Sequence, residues 1–157
     1  MQLRKRCSGV WIAAIVAILD RVTKVLAESL PAAIDVLPGV LRLRSTFNKG
    51  IAFSMLSGSG LWLIAGTFLL ITALTAWLTV RADGMPKWLR VGLWMIVGGG
   101  IGNLYDRIVF GHVIDFIEPI FVRFAVFNIA DAGICIGAFI AAAAILIDEH
   151  RKETAHE

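Results

Sequence analysis

Charge is scarce in this chain. Of its 157 residues only 17% are charged, while 58% are hydrophobic and the mean hydropathy is +0.79. A soluble domain of this length needs a charged shell, and too few charges are present to build one. Cysteine is nearly missing: Cys7 follows the basic run Arg4-Lys5-Arg6, and Cys135 sits midway along the last apolar block. Two thiols so placed do not make a disulfide framework. The three histidines are His112, His150 and His156, the last two near the C-terminus. One histidine with scattered acids is a poor zinc site, so neither metal nor cofactor is expected. Serine–lysine and cysteine–histidine constellations are lacking as well. No basic stripe is interleaved with aromatics, so the net charge of +3 reads as lipid-facing and topological and excludes a nucleic-acid partner. There is no internal repeat.

The apolar residues run in long blocks instead of alternating with polar ones. About 20 such residues cross the roughly 30 Å of hydrocarbon in a bilayer. The pattern predicts an all-α membrane protein, a four-helix transmembrane bundle forming one membrane domain over residues 1–157. Spans are expected at about 10–29, 60–80, 89–105 and 127–147. The first starts like a signal peptide, with a basic stretch before the apolar run from Val10 to Leu19. Asp20-Arg21-Val22-Thr23-Lys24 then interrupts the pattern where a small-residue cleavage site would be needed, so the helix is retained. The third span is glycine-rich, and Gly98 and Gly102, spaced as small-xxx-small, predict close helix packing. Only 15 residues separate Arg90 from Asp106. That is roughly 22 Å of helix, which would place its outer end within the membrane edge.

Lys and Arg counts orient the bundle. With both termini on one side, that side carries eight: Arg4, Lys5, Arg6, Arg81, Lys87, Arg90, Arg151 and Lys152. The other side carries five, at Arg42, Arg44, Lys49, Arg107 and Arg123. The excess predicts cytoplasmic termini and two outer loops, at about 30–58 and 106–126. In the first, Pro38-Gly39 signals a turn, and Val40-Leu41-Arg42-Leu43-Arg44 alternates as a half-buried strand does. A small extracytoplasmic β-sheet or hairpin is expected there.

Ionisable groups inside a membrane are costly, about 2.5–3.5 kcal/mol each at mid-helix. Three acids nevertheless fall at one depth. Counted from the basic cytoplasmic ends, Asp20 lies roughly 21 Å in, Asp106 roughly 24 Å and Asp131 roughly 25 Å. Asp115 enters from the adjoining loop. Such convergence is what a site requires, although bland readings compete. Asp20 and Lys24, four residues apart, can pair on one helix face for structure alone. Asp106-Arg107 can be the solvated end of the third helix, and Asn103 and Asn128 can be hydrogen-bonded glue between helices. Asp131 has no cation within four residues on its helix, so it needs a partner from elsewhere or a proton.

At these residues the chain resembles the lipoprotein signal peptidase (signal peptidase II) family, over nearly its whole length. Asp20-Arg21-Val22-Thr23-Lys24 resembles the family's first-helix block, and Asn48-Lys49-Gly50-Ile51-Ala52-Phe53 its Asn-x-Gly-x-Ala-Phe block. Gly99-Gly100-Ile101-Gly102-Asn103-Leu104-Tyr105-Asp106-Arg107 resembles the third. Val113-Ile114-Asp115-Phe116 and Phe127-Asn128-Ile129-Ala130-Asp131 resemble the last two. One block would be weak; five in order are specific. The resemblance implies an aspartic endopeptidase of the bacterial cytoplasmic (inner) membrane that cuts a prolipoprotein signal peptide before its diacylglyceryl-cysteine. It implies Asp115 and Asp131 as the catalytic pair. Asp20, Lys24, Asn48, Gly50, Asn103, Arg107, Asn128 and Ala130 would support the site or contact substrate. The implied partners are a lipidated prolipoprotein and membrane lipids, with the enzyme a monomer.

Two carboxylates can cleave a peptide without metal or covalent intermediate. One takes a proton from water while the other donates to the carbonyl oxygen, and a pair in close contact shares one proton. A small proton- or ion-coupled transporter, with the acids as a relay, is the competing reading. Against it stand the lack of an inverted repeat and the charge-free second span. A passive membrane anchor would leave the intramembrane acids without a purpose.

Overall fold

The computed structural model describes residues 9–50, 60–81 and 84–154. Cys7, Arg4-Lys5-Arg6 and Ile51-Ala52-Phe53 lie outside the described residues. Four helices and three strands follow one another: α1 (Val10–Glu28), β1 (Ile34–Leu37), β2 (Leu41–Asn48), α2 (Gly60–Arg81), α3 (Lys87–Phe110), β3 (Val113–Pro119) and α4 (Ile129–Thr154). Two stretches, Leu61–Arg81 and Ile129–Thr154, are long and apolar enough to cross a membrane.

Helix α3 packs against each of the other three helices, and α1 also meets α4. Small residues allow this. Gly92 of α3 and Gly137 of α4 face each other so closely that a side chain on either would strike the other's backbone carbonyl. Gly98 lies against Ala13 and Val16 of α1, as its small-xxx-small spacing predicts. A smaller core of Ala13, Leu78, Trp94 and Val97 ties α1, α2 and α3 together. Outside these contacts the helices are lined with exposed large apolar side chains, among them Ile18, Leu26, Trp62, Leu69, Phe139 and Leu146.

Helix α3 is longer than its expected 89–105, and the outer loop expected from residue 106 is correspondingly shorter. It has 24 residues and runs through Asp106 and Arg107 to Phe110. Those two charges looked like a solvated end, but Asp106 is fully buried and ion-paired, so the helix has no reason to stop there. It stops at Gly111, whose φ of +74° and N–H bond to Arg107 O make a left-handed cap. Helix α4 starts two residues later than 127 and continues past 147 to Thr154.

The loops contribute one antiparallel sheet in the order β1-β2-β3. Pro38 and Gly39 make the expected turn: Gly39 has φ +77° and Val40 N donates to Leu37 O at 2.9 Å, as in a type II turn. The third strand comes from the second loop. It pairs Asp115 with Thr46 and Val113 with Asn48, so the sheet joins both loops and carries Asp115 in its middle. Residues 113 to 116 are all buried, without the alternation that marks a half-exposed strand.

Candidate active site

Helix α4 begins with a reciprocal cap. Asp131 N donates to Asn128 Oδ1 (2.9 Å), and Asn128 N donates to Asp131 Oδ2 (3.3 Å). Asn-x-x-Asp thus works as a capping box, which fixes the Asp131 carboxylate beside the helix start. The next free donor of that start, Ala130 N, is taken by Asp20 Oδ1 of α1 at 2.8 Å. The acid from one helix caps another.

Asp20 can reach this point because Gly102 faces it; a Cβ there would lie 2.6 Å from Asp20 Oδ2 and 3.4 Å from the Ala130 Cβ. So Gly98 serves helix packing, while Gly102 makes room for a carboxylate. Asp20 Oδ2 also accepts from Lys24 Nζ at 2.7 Å. Lys24 is fully buried and its ammonium has two further acceptors, Asp106 Oδ2 at 2.8 Å and Asn103 Oδ1 at 3.1 Å. All three of its N–H groups can therefore be satisfied. Arg21 closes the group by donating to Asp106 Oδ1 (3.3 Å), while Ile114 N donates to Asp106 Oδ2 (3.2 Å). Two carboxylates and two cations cancel, which is what allows so much charge to be buried.

The asparagines carry this order to the two acids. With its oxygen held by Lys24, Asn103 turns its amide nitrogen to Asp131 Oδ1 at 2.7 Å. Asn128 Nδ2 reaches Asn103 Oδ1 at 3.1 Å and Asp115 Oδ1 at 2.7 Å. Asp115 Oδ2 accepts from Asn48 Nδ2 at 3.0 Å. Asn48 Oδ1 in turn accepts from Gly50 N (2.9 Å), and Gly50 O accepts from Arg107 Nη2 (2.9 Å). Burial pushes the Asp115 carboxyl up to about 6, and the nearby Asp131 charge adds to this against the hydrogen bonds from Asn48 and Asn128. Asp115 is almost wholly buried, whereas Asp131 is partly open.

All ten residues expected at a site thus meet in one connected network: Asp20, Lys24, Asn48, Gly50, Asn103, Arg107, Asp115, Asn128, Ala130 and Asp131. Asp106 and Arg21 belong to it as well, although neither stood among the expected site residues. The signal for Asp106 was its depth, shared with Asp20 and Asp131. No group of three or more His, Cys, Asp and Glu that could hold a metal occurs among the described residues.

Residues 12–147 match the family described as signal peptidase (SPase) II. The chain belongs to the signal peptidase II family. It is therefore a hydrolase, a peptidase and a membrane protein. It is 42% identical to a lipoprotein signal peptidase of Sinorhizobium fredii, across 84% of this chain and 80% of that one. It is 36% identical to a lipoprotein signal peptidase of Pseudomonas aeruginosa, across 96% of this chain and 95% of that one. Among solved structures it is similar to a bacterial membrane enzyme determined in meso at 2.3 Å resolution. The TM-score is 0.82 at 30% identity, covering 92% of this chain and 91% of the other. A second such enzyme, at 1.9 Å, gives a TM-score of 0.76 at 31% identity, covering 88% of this chain and 92% of the other. Asn128 links the two carboxylates of the network, donating to Asp115 from its side chain and to Asp131 from its backbone N–H.

Proposed function

We propose that the chain is an aspartic endopeptidase that removes the signal peptide of lipid-modified prolipoproteins, cutting before the diacylglyceryl-cysteine. The observation that carries this reading is Asn128, which touches both Asp115 and Asp131 and so holds two acids at one site. Asp131, the more open of the two, takes a proton from the attacking water. Asp115, buried and raised, keeps the shared proton and gives it to the carbonyl oxygen of the scissile bond. Asn48, Asn103 and Asn128 hold the carboxylates, Asp20 and Lys24 hold Asn103 and the start of α4, and Arg107 pins Gly50 beside Asn48.

All four helices cross the membrane in this reading, as one domain, with both termini cytoplasmic and the site near the outer face. The exposed apolar side chains along α1, α2 and α4 support it, since a soluble monomer does not expose apolar surface on this scale. The pairing of both loops in one sheet beside Asp115 supports a shared outer side. The protein acts as a monomer in the inner membrane, among lipids that deliver its substrate. The direct test is incubation of purified protein with a lipidated prolipoprotein and its unlipidated counterpart. Cleavage of the first alone, before the modified cysteine, is expected; proton flux in sealed vesicles without cleavage would favour an ion relay.

A further inference from the structure

At the end of the molecule away from the carboxylates, a groove of about 690 Å³ opens between the start of α3 and the second half of α4. Its rim carries Lys87, Arg151 and Asp148. Asp148 is engaged by Lys152 at 2.6 Å, while neither Lys87 nor Arg151 has a carboxylate partner among the described residues. Lys87 leans over the Trp88 ring, 5.6 Å from its centroid, and the start of α3 has no side-chain cap and no acid in its first turn. Among the described residues the rim therefore presents two cations, Lys87 and Arg151, that no carboxylate pairs with, its one acid, Asp148, being engaged by Lys152. Below the rim the lining turns apolar: Trp88, Phe139, Ile140, Ala143 and Ile147. Positions 139, 143, 147 and 151 repeat every four residues, so they form one stripe down α4. Alanines leave the trough and the large side chains wall it.

We infer that this groove binds one anionic glycerophospholipid of the cytoplasmic leaflet, its phosphate between Lys87 and Arg151 and an acyl chain along the α4 stripe. Dimensions support the fit. Arg151 lies 20 residues beyond Asp131, roughly 30 Å along the helix and about one hydrocarbon thickness from the catalytic level. Phe139 lies 12 residues before Arg151, roughly 18 Å, close to the depth of one leaflet. The inference rests on the four-span orientation proposed above, but not on the peptidase chemistry.

The test uses the purified full chain in detergent, titrated with equal amounts of phosphatidylglycerol and phosphatidylcholine and read by native mass spectrometry. One phosphatidylglycerol is expected to be retained preferentially. Lys87→Gln with Arg151→Gln should weaken that retention roughly 25-fold, at about fivefold per basic residue facing an anionic lipid. Ala143→Phe should weaken it without changing charge, by filling the trough. None of these variants should alter cleavage of a lipidated substrate in detergent, because they lie a membrane's thickness from the site. Equal retention of both lipids would overturn the inference. So would an equal loss with Arg81→Gln, which lies outside the groove, or full displacement by soluble glycerol phosphate. Topology reporters separate the two failures: lost retention with a cytoplasmic C-terminus sinks the groove alone.

Discussion

Replacing Lys24 by Met should unfold much of what holds the site together. The side chain keeps its length and apolar stem but loses an ammonium that touches Asp20 at 2.7 Å, Asp106 at 2.8 Å and Asn103 at 3.1 Å. Asp106 would retain Arg21 and the Ile114 N–H, whereas Asp20 would retain only the Ala130 N–H among its described contacts. Removing one member of a buried ion pair costs about 3–5 kcal/mol, because the partner stays buried without compensation. Against a total stability of about 5–15 kcal/mol this is a large share. Unfolding of the detergent-solubilised protein by heat or denaturant should therefore show a much lower midpoint at pH 7. Lys24→Met with Asp20→Asn should recover part of the loss, since both charges then leave together. Cleavage should fall in the single variant too, because Asn103 loses one of the two donors that orient its amide. A Lys24→Met protein as stable as wild type at pH 7 would refute the reasoning, and the buried charges would then have to be neutral in some other way.

Asp115 has its pKa raised from 3.8 to about 6, so its protonated form is favoured by folding. The stability it lends is complete below the unfolded value and is lost as pH rises through the folded one, by at most about 3 kcal/mol. Asp115→Asn should thus gain on wild type between about pH 4 and pH 7 in thermal melts; a constant difference would contradict the raised value. Gly99→Ala should destabilise by about 1–3 kcal/mol, since the added methyl meets the Ala130 carbonyl and outweighs the helix propensity gained. A melting point equal to wild type would show that α3 and α4 can part there. Reporter fusions after Gly84 and at the C-terminus should read cytoplasmic, and one after Gly39 external; an external C-terminus would sink the four-span reading.

Local chemistry was readable from the residue string, and long-range contacts were not. The apolar blocks disclosed four helices, Pro38-Gly39 its turn, and the i, i+4 spacing the Asp20–Lys24 ion pair. Counting residues from the basic ends also brought the acids of α1, α3 and α4 together, and the structure joins them in one network. The end of α3 was misjudged because Asp106 and Arg107 look polar in isolation. Their partners, Lys24, Arg21 and the Gly50 carbonyl, lie far along the chain. Gly111 was the better stop signal. The strand through Asp115 was hidden for a related reason: Val113-Ile114-Asp115-Phe116 is buried throughout, so no alternation betrays it, and its partner strand lies in the other loop. The reading of Asn103 as glue between helices holds, since it joins α3 to Lys24 of α1 and Asp131 of α4, whereas Asn128 joins α3 to the sheet; each also donates to a carboxylate.

The central claim is that Asp115 and Asp131 act together on one water. The measurement is the cleavage rate of a lipidated prolipoprotein by Asp115→Asn, Asp131→Asn and the double variant, with folding checked by thermal melting. Each single change should lower the rate by about 10²–10⁴-fold, as loss of a general acid or base does. The double variant should be scarcely slower than either single one, because residues that work as a unit are not additive. Substantial turnover by a folded Asp131→Asn protein, or losses that simply multiply in the double variant, would contradict the shared dyad.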